Sequence, residues 1–167
     1  MYISDNAFST EQLTEMEVDV LKTLSFELTV PTVLNYAERY CKVSSHYLKK
    51  GREMKIIADL IMYCTEHAVI TYSLAQRAPS IVGAACFIYA CLSTKVFTRS
   101  TIDDDNLEEV VGYTMSELVP TMKELNLAVK NAKKSKHKAL YKKYSSTKYS
   151  NIGKLNFARL NISFLDC

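Results

Sequence analysis

The sequence predicts an all-α fold, and three observations carry the prediction. Apolar residues recur at intervals of three and four along most of the 167 positions, the period of an amphipathic helix. No segment sustains the period-two alternation of a half-buried strand. Only 4 Gly and 3 Pro are present, too few turn formers for the many connections of a sandwich or barrel. With 48% hydrophobic and 23% charged residues, the composition is that of an ordinary globular domain. A chain of about 150 residues buries roughly 68–70% of the surface its unfolded form exposes, so no disulfide or metal staple is required.

The first helix is announced by Ser9 and Gln12, which stand at capping-box spacing. Leu13, Met16, Val20, Leu21 and Leu24 then share one face to about Ser25, with Glu11, Glu15 and Asp19 opposite. Phe26 to Val30 reads as a connector, since Pro31 disfavours helix at the residue before it. Pro31 itself suits the first position of a helix through Val33, Leu34, Ala37, Tyr40 and Cys41. Lys42 to Gly51 is polar and basic, a loop.

A long helix is predicted from Arg52 to Leu74, with Met54, Ile57, Leu60, Ile61, Cys64, Ala68 and Val69 as its buried stripe. Gln76 to Pro79 ends it. Ser80 is read as the cap of the run from Ile81 to Leu92, which is apolar nearly all round and rich in small residues. A helix of that kind belongs at the centre of a bundle, where neighbours approach closely. Ser100 to Asp104 forms a polar turn before a short helix, Asp105 to Val111, closed by Gly112 in a left-handed cap. Thr114 and Glu117 form a second capping box and open a helix to Ala132 that buries Leu118, Met122, Leu125 and Val129. Pro120 predicts a kink or a weakly bonded first turn there. A short helix follows at Lys138 to Tyr144, and the last 20 residues read as irregular.

The net charge of +3 divides unevenly. Residues 130–154 contain Lys130, Lys133, Lys134, Lys136, Lys138, Lys142, Lys143, Lys148 and Lys154 and no acid, so an acidic body precedes a basic tail. Interleaved with Tyr141, Tyr144 and Tyr149, these lysines suit nucleic acid, an acidic partner or a nuclear-import receptor. A tail packed on the bundle by its tyrosines, lysines outward, is the favoured reading, with Lys133, Lys134, Lys142 and Lys143 as its basic patch.

Enzyme classes find little purchase. His46, His67 and His137 share no motif, and Glu66-His67 lacks the second histidine of a zinc helix, so no metal site is expected and the histidines read as solvated. Cys86 and Cys91 lie on the most apolar helix, where packing outweighs reactivity. Asp103, Asp104, Asp105, Glu108 and Glu109 are acids at a helix start, where they complement the dipole. No Gly-rich phosphate loop exists, and neither catalytic residues nor a cofactor are expected. No apolar run reaches the length of a membrane span, and Met1 to Ser9 lacks a signal-peptide layout. The odd count of 5 Cys fits a reducing nuclear or cytoplasmic setting.

Several motifs then point to a family. Ile3-Ser-Asp-Asn-Ala-Phe-Ser-Thr10, Met16-Glu17, Leu21, Leu24, Phe26, Leu28 and Pro31-Thr32 resemble the junction between the two boxes of an A- or B-type mitotic cyclin. Pro79-Ser80 before an alanine-rich helix is similar to the third helix of the family's second box. Gly112-Tyr113-Thr114 with Leu118 resembles its turn, with Val111 in place of a threonine. Lys143-Tyr144-Ser145, Lys148-Tyr149 and Ile152 resemble its ending.

The resemblance implies a five-helix cyclin box at residues 31–132, preceded at residues 1–30 by the end of an incomplete first box and followed by a basic tail at 133–167. It implies a non-catalytic regulatory subunit that binds and activates a cyclin-dependent protein kinase, with Tyr2, Ile3, Phe8 and Gln12 nearest the kinase. Ile3 and Phe8 could equally cover the end of the bundle. The helix Thr10–Ser25 is expected to pack on the side of the box or to stay partly exposed, where its stripe would drive self-association or partner binding. The alternative is a cyclin-like transcription factor or adaptor, related to TFIIB or to retinoblastoma-type proteins, that binds DNA or protein through its basic tail.

Overall fold

Residues 3, 5–44, 51–94, 104–135 and 138–155 are described by the structure, a computed structural model, with the backbone alone at 52 and 104–106. Among the described residues there are helices and turns and no strand. The chain divides into two compact units, Met1–Pro31 and Thr32–Cys167.

The first unit holds one helix, α1 (Thr10–Thr23). Its capping box forms as the sequence predicts: the Gln12 amide donates to Ser9 Oγ at 3.2 Å, and the Ser9 amide donates to Gln12 Oε1 at 2.8 Å. The helix stops two residues earlier than expected, because Ser25 and Phe26 take left-handed conformations with φ of 50° and 58°. The amide of Phe26 closes the turn on the Leu21 carbonyl at 2.9 Å.

The second unit begins with α2 (Val33–Val43), and here the sequence reading needs correcting. Pro31 is not the first helical residue. Thr32 caps the helix through a reciprocal pair with Asn35, whose side-chain oxygen accepts from the Thr32 amide at 2.9 Å. Lys42 belongs to the helix too; residues 45–50 of the expected loop lie outside the described residues. α3 (Arg52–Ile70) and α4 (Tyr72–Ala75) replace the single long helix. Thr71 breaks it, with φ −96° and ψ 106°, while its hydroxyl donates to the His67 carbonyl at 2.7 Å. Extended backbone costs a β-branched residue little, and the hydroxyl adds a second donor to the His67 carbonyl, which also accepts from the Thr71 amide at 3.1 Å.

α5 (Pro79–Ser93) is the central helix, with every residue from Val82 to Cys91 buried. It packs against α2, α3 and α7 (Met115–Asn131). Gly83 lets α2 come close: a Cβ there would lie 2.7 Å from Tyr36 Cβ and 2.9 Å from the Val33 carbonyl. Pro79 takes the first helical position, so Ser80 is not the cap; its hydroxyl instead meets the Tyr113 hydroxyl at 2.7 Å. α6 (Asp104–Val111) ends at Gly112, whose φ of 74° is the left-handed value predicted. The expected turn before it, residues 100–103, lies outside the described residues.

The second predicted capping box is present on α7: the Thr114 amide donates to Glu117 Oε2 at 2.8 Å. Leu118, Met122, Leu125 and Val129 are buried as predicted, joined by Thr121. Pro120 sits early in the helix, which continues through it to Asn131. Arg77 ties α7 to the segment after α4, donating to Thr121 Oγ1 at 2.8 Å and to Glu124 at 2.9 Å.

α8 (Ala139–Tyr144) lies where predicted; of the last 20 residues, expected to be irregular, 148–155 are largely in short 3₁₀ turns and 156–167 lie outside the described residues. Two 3₁₀ turns, Thr147–Tyr149 and Ile152–Lys154, bring Ile152 into the core with no exposed surface. Gly153 permits this, since a Cβ there would lie 2.7 Å from the Tyr141 carbonyl.

Candidate partner-binding surface

Three of the four predicted kinase-facing residues are described; Tyr2 is not. Ile3 is 99% exposed and Phe8 54% exposed. Gln12 is occupied by the capping box, its side-chain oxygen held by the Ser9 amide. The predicted apolar face of α1 is exposed at Leu13, Met16, Val20 and Leu24, and α1 buries none of its residues. Phe26, Leu28 and Val30 continue that exposed apolar surface along the connector.

The basic tail is held through its aromatic residues. Tyr144 is fully buried, its ring 5.0 Å from that of Tyr63 and 4.7 Å from that of Tyr149. Its hydroxyl donates to Glu66 Oε1 at 2.7 Å, and the same oxygen accepts from Lys143 Nζ at 2.5 Å. Two turns earlier on α3, Asp59 accepts from Lys55 at 2.6 Å and from Ser150 Oγ at 2.6 Å. Lys55 also donates to the Lys148 carbonyl at 2.9 Å. Asp59 and Glu66 are thus the two acids that anchor the tail, a role the sequence reading missed. Their spacing of seven puts them on one helix face, which was the available signal.

Glu66 holds the Lys143 ammonium above its ordinary range, while burial, followed by the Glu66 hydrogen bond, pushes the Tyr144 phenol up. Lys133, Lys134, Lys142 and Lys143 are exposed. Lys136 lies outside the described residues.

Sequence reasoning took the histidines as solvated, and His67 overturns that. It is buried, packed edge-on against Tyr63 with ring centroids 4.5 Å apart, and its Nε2 has no hydrogen-bond partner. Desolvation lowers its pKa to about 4, opposed by nearby Glu66. Its position three residues after Cys64 on α3 faces the core, which outweighs its polarity. His46 and His137 lie outside the described residues.

Cys64, Cys86 and Cys91 are buried free thiols, pushed up by desolvation and so unsuited to nucleophilic work. Glu108 and Glu109 are exposed on α6; Asp103 and the side chains of Asp104 and Asp105 are outside the described set. Among the described residues no group of acids, histidines or cysteines could hold a metal ion, and no helix is long and apolar enough to cross a membrane.

Val69 was predicted to be buried and is not: it is 64% exposed, and Ile70 beside it 63%. Both line a groove of about 300 Å³ with Val33 and Leu34 of α2, Glu66 of α3 and Leu140 of α8.

This central apolar helix within a helical bundle, with the aromatic tail folded back on α3, is matched by the family model for the cyclin C-terminal domain over residues 31–157. The chain belongs to the cyclin family. Relatives to which it is similar include Cyclin-B1-1 of Oryza sativa subsp. japonica, 36% identical over 86% of this chain and 31% of the relative. G2/mitotic-specific cyclin-B of Spisula solidissima is 34% identical over 93% of this chain and 34% of the relative. Cyclin-A1 of Xenopus laevis is 31% identical over 93% of this chain and 35% of the relative.

The chain therefore spans about a third of the length of the curated relatives it matches. The cyclin family match extends through α8 and both 3₁₀ turns, so the tail that carries Tyr144 and Ile152 falls inside the matched region. The comparisons lend no support to a transcription-factor or adaptor module that binds DNA.

Proposed function

We propose that this cyclin-family chain is a non-catalytic regulatory subunit that binds and activates a cyclin-dependent protein kinase in cell-cycle control. The observation that carries the reading is the cyclin C-terminal domain match over residues 31–157, among relatives that are mitotic cyclins. Activation by such a subunit is differential binding: it favours the active arrangement of a kinase helix and activation loop and performs no chemistry. In this reading residues 1–30 are the end of a first cyclin box, residues 31–132 the second box and 133–167 its basic tail. Kinase contact falls to Tyr2, Ile3, Phe8 and Gln12. The exposure of Ile3 and Phe8 supports it, because an apolar side chain held in solvent gains most from a partner. The nucleus and cytoplasm are the compartments such a function requires, with an import receptor as a further partner of the basic patch.

The test is binding of the full chain to a purified cyclin-dependent kinase, with phosphorylation of a peptide substrate as a second readout. Phe8→Ala is expected to weaken capture about tenfold or more, as truncation of an interfacial aromatic does. A chain that captures no kinase, or a Phe8→Ala variant that captures it unchanged, overturns the assignment.

A further inference from the structure

The two clamps that hold the tail on α3 are not equivalent. The Glu66 side chain is 31% exposed and keeps the Tyr144 hydroxyl as a donor if Lys143 is lost. The Asp59 side chain is 10% exposed. Among the described residues its donors are Lys55 and Ser150, both on Oδ2 at 2.6 Å, and Lys55 is its counter-charge. The same ammonium crosses to the tail, donating to the Lys148 carbonyl at 2.9 Å and to Ser150 Oγ at 3.4 Å. One cation therefore joins α3 to the turn between the two 3₁₀ segments.

That turn is held in place rather than at rest. Ser150 has a left-handed φ of 52°, which a serine adopts only at a cost. Without the charge of Lys55, the Asp59 carboxylate is left buried and uncompensated, the expensive outcome of a broken buried pair. Lifting the segment lets water reach that carboxylate, and uncovers Ile152 and the part of α3 it packs on. The Lys55 side chain is itself 56% exposed, so its amine is open to reagents in solution.

We propose that residues 147–154 form a releasable strap keyed by Lys55, which is an acylation site, and that acylation of its amine opens the strap. The donor is an acetyl thioester. A bond forms between Nζ and the acetyl carbonyl as the C–S bond breaks; one ammonium proton leaves with the thiol and a second goes to water. The resulting amide is neutral and keeps a single N–H, so it offers Asp59 no counter-charge. Opening turns a covered apolar strip of α3 into free surface, and the tail presents different faces in its two states.

The test compares the full chain with acetyl-lysine incorporated at position 55, with Lys55→Gln and with Lys55→Arg. Amide exchange is read at Tyr149, Ser150, Asn151 and Lys154, whose N–H groups are bonded within the strap. Acetyl-lysine and Lys55→Gln are expected to speed exchange there about tenfold or more, while Lys55→Arg stays within about threefold. Adding Asp59→Asn to Lys55→Gln removes the stranded carboxylate and should restore most of the protection, which a merely structural role does not predict. Lys55 is a surface position, and an unchanged circular dichroism spectrum verifies that the bundle stays folded. Acetyl-coenzyme A, added to the folded chain, should modify Lys55 as mapped by mass spectrometry. Exchange unchanged by acetyl-lysine, Lys55→Arg as open as Lys55→Gln, no rescue by Asp59→Asn, or a Lys55 left free while other lysines react each overturn the proposal.

Discussion

α1 and α5 are near equals in length, 14 and 15 residues, and opposites in burial. α1 buries none of its residues, and α5 buries ten in succession. Yet α1 is the better capped: Ser9 and Gln12 satisfy one another's backbone, while α5 begins at Ala78 and Pro79 with no side-chain cap. The contrast separates two sources of helix stability. α1 is specified by its own ends and its own i, i+4 spacing; α5 is specified by what surrounds it, with little contribution from capping.

The sharpest way to break that contrast is truncation in each helix. Phe87→Ala removes a fully buried ring beside Tyr40 and is expected to cost about 3–5 kcal/mol, read from urea unfolding. Met16→Ala, on an exposed position of α1, should stay within about 0.5 kcal/mol. A Met16→Ala cost comparable to that of Phe87→Ala would place α1 in a core and abolish the distinction.

His67 sharpens it through pH. Its folded-state pKa of about 4 lies below the ordinary 6.5, so between those values the unfolded chain binds a proton that the folded chain refuses. Stability is therefore complete above about pH 6.5 and falls as pH drops toward 4, by an amount of order 2–3 kcal/mol. His67→Phe should flatten that slope in unfolding curves measured across the window. An unchanged slope would show that other groups of the second unit carry the acid sensitivity.

The smallest effect belongs to the cap. Ser9→Ala should cost α1 about 1 kcal/mol, seen as faster amide exchange at Gln12 and its neighbours. The main unfolding transition should not move. A shift of that transition would mean that α1 shares in the stability of the second unit after all.

Local chemistry was the legible part. Two capping boxes, the left-handed Gly112 and the all-apolar run of α5 were each readable from a few neighbouring residues. The third box was missed because Asn35 stands where Glu or Gln gives the usual signature, and Pro31 offered a competing start. The break at Thr71 had no glycine or proline to announce it. The burial of His67, the exposure of Val69 and the anchoring of the tail on Asp59 and Glu66 depend on residues 77 to 93 positions away in sequence or on which face a neighbour covers. Periodicity supplies a face and not its occupant.

By itself, then, the sequence determined that the chain is helical, where most helices begin and end, and which helix is central. Capping, propensity and the 3.6-residue period act between near neighbours, and all are written in consecutive residues. Tertiary structure alone decided which apolar faces are covered. Gly83 and Gly153 matter only because another backbone passes within reach, and the basic tail lies down only because two carboxylates of α3 and a pocket for Tyr144 meet it there. Burial is a property of two surfaces at once, and a single segment specifies only one of them.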